Sequence, residues 1–262
     1  MSEEHDALAE GRMSLTDHLE ELRVRMLRIV AAYIVGVMLT YTFSNDLFRL
    51  LQLPLKQLLT KHPGSTFAMR SLSEGFMVEL KVALIAGIFA ASPYVFYQIW
   101  AFISPGLYKH ERRLALPVII SATFLFLLGA FFGYFVVFPY TFDFFLSYTT
   151  PEVVAVLSID DYLDFAGKML MGFGLVFQLP LLIFIVSFLG IVNHTQLISF
   201  RRYVIVINFV IAALITPPDV VSQLFVALPL VVLYELGILL SWMVGRKRRT
   251  DEEVEGATEE AG

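Results

Sequence analysis

The chain has no cysteine among its 262 residues. Disulfides, thiolate metal sites and cysteine nucleophiles are therefore excluded. Charge is also scarce. Asp, Glu, Lys and Arg make up 16% of the residues, where a soluble domain carries about 25%. There is no His-Glu-x-x-His, no Gly-x-Ser-x-Gly and no Walker-type glycine loop; His110-Glu111 runs into Arg112-Arg113 with no second histidine four residues on. These gaps argue against an enzyme and imply no cofactor. No basic stripe is present, which argues against nucleic acid as a partner. No small-residue cleavage site follows the first apolar run, so the first span is expected to stay in the mature chain.

What is abundant is apolar. Hydrophobic residues make up 57% of the chain, and the mean hydropathy is +0.72. A bilayer span needs about 20 mostly apolar residues, and the chain offers six candidate runs: 26–43, 76–103, a third from after Arg113 to about Pro139-Tyr140, 164–189, 203–216 and 224–244. An all-α, polytopic membrane protein in contact with lipid is predicted, with one membrane domain over 15–245. Residues 1–14 read as a disordered arm and 246–262 as a charged, disordered tail. Ser14 and Asp17 form a capping-box pattern that starts an amphipathic helix leading into the first run. Pro54 and Pro63-Gly64 break the long segment 45–74.

Lys and Arg split unevenly between the two sides. Thirteen fall on one side and four on the other, with Lys81 and Lys168 inside spans. The positive-inside rule then puts both termini in the cytoplasm. The fifth run has 14 residues, about 21 Å of helix against a hydrocarbon core of roughly 30 Å. Either the fifth and sixth helices are short, or the double proline Pro217-Pro218 lies inside the membrane.

Polar groups inside spans are expensive and therefore informative. Gln178 and Glu235 are expected to face a groove or partner. Glu79, Lys81 and Lys168 lie near span ends, where snorkelling suffices. Pro93, Pro117, Pro180 and Pro229 should bend their helices and release backbone carbonyls, giving a concave wall. Gly172-Phe173-Gly174 reads as a helix-packing surface. Near the basic side, Glu21 and Glu111 could receive guanidinium groups, because an arginine fork matches a carboxylate. Equally, Glu20 could pair with Arg23, Glu21 with Arg25, and Glu111 with a neighbouring arginine. A secondary transporter of small solutes is the alternative function; it would call for a repeated topology and a midplane ion site, and no repeat is visible.

Several motifs together carry a resemblance. They are His18-Leu19-x-Glu21-Leu22-Arg23, Tyr97-Gln98-x-Trp100-Ala101-Phe102-Ile103-x-Pro105, and Leu107-Tyr108-Lys109-His110-Glu111-Arg112-Arg113. Phe138-Pro139, Phe173-Gly174, Phe177-x-x-Pro180 and Thr216-Pro217-Pro218-Asp219-Val220-x-Ser222-Gln223 follow in order. Across about 15–245 the chain resembles the TatC family, the signal-peptide receptor subunit of the twin-arginine protein translocase. The resemblance implies six helices in a cupped arrangement, with short fifth and sixth helices, in the bacterial inner membrane. It implies binding of twin-arginine signal peptides and export of folded proteins with TatA and TatB partners, driven by the proton gradient, in a larger self-associating complex. By position, Glu21 and Glu111 match the acidic residues that hold the twin arginines. Thr216 and Gln223 match the polar patch that docks a partner's helix. Pro54, Phe102, Asp219 and Glu235 also fall on family positions. One position departs: many relatives carry a glutamate where this chain has Gln178, and an amide cannot bind and release a proton.

Overall fold

The computed structural model describes residues 15–62, 64–103, 115–150, 155–216 and 219–260, with side chains described within 18–243. The disordered arm expected over 1–14 and the loop carrying Glu111 lie outside the described residues. Helix α1 spans Leu15–Tyr41, 27 residues that join the amphipathic leading segment to the first span without a break. The chain then bends by 82° into α2, Ser44–Leu59. Helix α3 is Glu74–Ile103. Helix α4, Ala115–Phe132, passes through a π-helical stretch, Gly133–Val137, into α5, Phe138–Leu146. Helices α6, Ile159–Val176, and α7, Leu179–Phe188, make the fourth span. Helices α8, His194–Ile215, and α9, Val220–Glu260, complete the set. Among the described residues, five stretches are long and apolar enough to cross a membrane, or six if the bent pair α1–α2 is one span. The last two are the shortest of the five, 22 and 24 residues against 30, 32 and 30.

Several boundaries moved for local reasons. The third span continues past Pro139 to Leu146, with the π-helical stretch Gly133–Val137 just before the proline. The fourth begins at Ile159, five residues early, because the Ser158 hydroxyl caps Asp161 N at 3.4 Å and two aspartates occupy the first turn. The fifth helix gains nine residues at its start, where Gln196 Oε1 accepts from Asn193 N at 2.9 Å. This polar turn lengthens the helix without lengthening its apolar part. Helix α9 likewise continues across the residues read as a disordered tail. A small parallel pairing, β1 (Thr66–Ala68) with β2 (Val156–Ser158), joins the two long loops.

The carbonyls that Pro54 and Pro93 release find donors. Pro54 does not break a segment; it lies buried inside α2. A proline cannot donate to the carbonyl four residues before it. Here that carbonyl is Leu50 O, and the Tyr134 hydroxyl donates to it; Tyr162 does the same for Leu51 O. Pro93 frees Phe89 O, which accepts from the Ser92 hydroxyl at 2.7 Å.

Helices close in sequence pack together in space. Helix α1 lies along α3, α3 against α4, α4 against α6, and α9 against both α7 and α8. The α1–α3 contact is close: a Cβ at Gly36 would sit 2.8 Å from Gly87 O. Thr40 Oγ1 lies 2.9 Å from Ala83 O across the same seam. Phe173, fully buried, fits against Gly129 and Gly133 of the third span, so Gly172-Phe173-Gly174 is a packing surface. The core, with Phe138, Leu163, Met169 and Phe173 wholly buried, lies between the third and fourth spans and under α2.

Candidate functional site

Residues 18, 21 and 25 recur at helical spacing, so they share one stripe of α1. Residues 98 and 102 share a stripe of α3 for the same reason. Packing α1 on α3 brings the two stripes together. At one end the His18 ring stacks on Phe102, centroids 4.4 Å apart. At the other, Arg25 donates to Gln98 Oε1 at 3.2 Å. Glu21 lies between. Arg25 brings Nε at 2.9 Å and an Nη at 2.5 Å to Glu21, both on Oε1. The internal pairing of Glu21 with Arg25 is thus realised, but it uses one oxygen only. Oε2 is shielded from solvent and, among the described residues, has no hydrogen-bond donor; the His18 Nδ1 at 3.9 Å is too distant to serve. Glu20 is exposed. Glu111 lies outside the described residues, so only Glu21 of the expected pair is described.

Gln178, Glu235 and Lys81 are partnered. Gln178 stands at the break between α6 and α7, where Gln178 N bonds Leu175 O instead of Gly174 O. Its side chain compensates: Nε2 donates to Ala122 O at 3.1 Å and reaches Gly174 O at 3.5 Å. It faces the third span rather than a groove. Glu235 is held by Arg201 in a two-pronged pair, Nε–Oε1 at 2.6 Å and Nη2–Oε2 at 2.8 Å. Lys81 does more than snorkel, since its ammonium bridges Asp160 at 2.5 Å and Asp164 at 2.7 Å on α6. Lys168 is exposed and Glu79 half-buried.

Thr216 and Gln223 sit on either side of the turn between α8 and α9. The buried Thr216 hydroxyl donates to Ala212 O at 2.9 Å, and Gln223 Nε2 to Phe209 O at 2.9 Å. Asp219 starts α9 by accepting Ser222 N on Oδ1 at 2.7 Å. Among the described residues, the buried Asp219 Oδ2, Ser222 Oγ and Asn208 Nδ2 have no hydrogen-bond partner. Sequence reasoning passed over Asn208, a lone amide in an apolar helix. It also missed Glu74, whose buried carboxylate accepts from Arg70 N, Ser71 N, Ser158 Oγ and Asp160 N. Its four donors come from two loops far apart in sequence, so no local pattern announces them. Gln98 stood inside a quoted motif, and only the packing reveals its contact with Arg25.

Fold and site together define a multi-pass helical membrane protein whose polar chemistry gathers at helix ends and helix–helix contacts. Residues 17–229 match the family model described as Sec-independent protein translocase protein (TatC), and the chain belongs to that family. The protein of that name from Desulforapulum autotrophicum is 44% identical over 244 residues, which cover 93% of this chain and 90% of the relative. The Escherichia coli K12 protein of the same name is 40% identical over 245 residues, covering 93% and 94%. A crystal structure described as the twin arginine translocase receptor TatC superposes with a TM-score of 0.78 at 36% identity, covering 87% of this chain and 99% of that one.

Proposed function

We propose that this chain is the core subunit of a twin-arginine translocase in the bacterial inner membrane and receives twin-arginine signal peptides at Glu21. The observation that carries this reading is the carboxylate itself: Oε1 is taken by Arg25 and, among the described residues, Oε2 is left without a donor. A buried acceptor without a partner costs free energy until a donor arrives. A guanidinium supplies such donors with matching geometry and a full charge. Glu111, on the loop that follows α3, takes the second arginine in this reading. The role is that of a receptor and not of an enzyme, with both termini in the cytoplasm and residues 15–245 acting as one membrane domain.

Single-span partners of the TatA and TatB type dock at the α8–α9 turn, around Thr216 and Gln223. In support, α8 is the least buried of the five long spans, and it presents Val206, Val210 and Leu214 outward. With these partners, and in a self-associated complex, the chain moves folded cargo using the proton gradient.

The test replaces Glu21 and Glu111 with Ala, singly and together. Crosslinking of a twin-arginine signal peptide and export of a folded reporter are then measured. Loss of a hydrogen bond to a charged group is expected to weaken binding about tenfold or more per site. Normal crosslinking and export in the double variant would overturn the reading.

A further inference from the structure

Glu21 does not set its own orientation. Gln98 is 2% exposed, so it is out of reach of a bound peptide, yet its Oε1 accepts from Arg25 Nη1 at 3.2 Å. The opposite edge of the same guanidinium places Nε and Nη2 on Glu21 Oε1. Three of the five donors of a rigid, planar group are thus committed. Planarity couples the two contacts: fixing the Gln98 edge fixes the direction from which the other edge meets Glu21. Because both of those donors land on one oxygen, the other, though shielded from solvent, is left without a donor among the described residues. A lysine at this position could not span both partners, since its ammonium is a point charge without a fork.

We infer that Gln98 and Arg25 are positioning residues for the peptide site: the buried amide anchors Arg25, and Arg25 holds Glu21 with Oε2 turned to the incoming guanidinium. The inference rests on the reading of Glu21 as the peptide's carboxylate. It adds a residue that never touches the ligand, together with a distinct division of labour between the two carboxylate oxygens.

The experiment uses the full chain purified into lipid nanodiscs and a fluorescent synthetic peptide carrying paired arginines, titrated at fixed ionic strength. Gln98→Leu removes the anchor at nearly constant volume, and its affinity is expected to fall about fivefold to tenfold, less than a direct hydrogen bond to a charged group because the amide acts through Arg25. Arg25→Lys keeps the charge and loses the fork, and is expected to fall comparably. The decisive measurement is coupling. In a Glu21→Gln background, Gln98→Leu is expected to change affinity less than about twofold, while its thermal midpoint shifts as it does in the parent. If Gln98→Leu weakens binding equally in both backgrounds, or in neither, the positioning role is overturned and the Glu21 reading stands. If Arg25→Gln binds the peptide more tightly than the parent, Arg25 is a competitor and the inference falls. If Glu21→Gln alone leaves affinity unchanged, the site reading falls and the inference with it.

Discussion

A methyl group added at Gly129 should separate the third and fourth spans. A Cβ there would lie 2.4 Å from Phe173 O, 2.8 Å from Phe173 C and 2.9 Å from Phe177 Cβ. The first two are backbone atoms of α6, which cannot swing aside as a side chain can. The helices must move apart, and the packing around the wholly buried Phe173 ring is lost with them. Overpacking costs about 1–3 kcal/mol, with a backbone collision near the upper end. Replacing a helical glycine by alanine returns about 1 kcal/mol. The net loss is then about 2 kcal/mol, roughly thirtyfold in the folded-to-unfolded ratio. For a chain of this size that lowers the thermal midpoint by about 4–8 °C. Two companions grade the effect. At Gly133 the new Cβ meets the edge of the Phe173 ring at 3.1 Å, and at Gly75 it meets only Met69 Cε at 3.9 Å. The order of midpoints in detergent, followed by loss of the monodisperse chromatographic peak, should be Gly75→Ala highest, then Gly133→Ala, then Gly129→Ala. If Gly129→Ala melts with Gly75→Ala, the close approach of α4 and α6 is refuted.

Two further substitutions test polar contacts. Gln178→Leu removes the amide that donates to Ala122 O, and should cost about 1 kcal/mol by thermal unfolding. Gln178→Glu can donate to those carbonyls only when protonated, so its stability should be greater at acidic than at alkaline pH, whereas the parent shows no such dependence from this site. A Gln178→Leu variant as stable and as active in export as the parent would show that no polar group is needed there. Glu74→Ala leaves four donors on two loops unsatisfied. Hydrogen exchange at Thr66–Ala68 and Val156–Ser158 should rise together, because one carboxylate holds both strands' surroundings; unchanged protection in either strand would contradict that.

Composition and hydropathy alone determine that this protein is a bundle of membrane helices. The reason is local: apolar runs of span length, with polar residues confined between them, have no other stable solution in a bilayer. The prolines were legible for the same reason, since each removes a donor at a known place in its own helix. The motifs around Glu21 and Thr216 were legible as patterns, and so was the family. The partners were not. Nothing in the order of residues says that Tyr134 will donate to the carbonyl freed by Pro54, or that Lys81 will meet Asp160 and Asp164 on another span. Gln178 and Glu235 both read as facing a groove or partner; Gln178 found Ala122 O and Glu235 found Arg201. The same holds at Glu21. The sequence offers a carboxylate and two candidate roles for it, internal pairing or ligand binding. Only the packing of α1 on α3 decides that internal pairing takes one oxygen and, among the described residues, leaves the other without a donor. The seam that brings Arg25 to Gln98 exists because Gly36 and Gly87 let two backbones approach, and such contacts depend on which helix faces which.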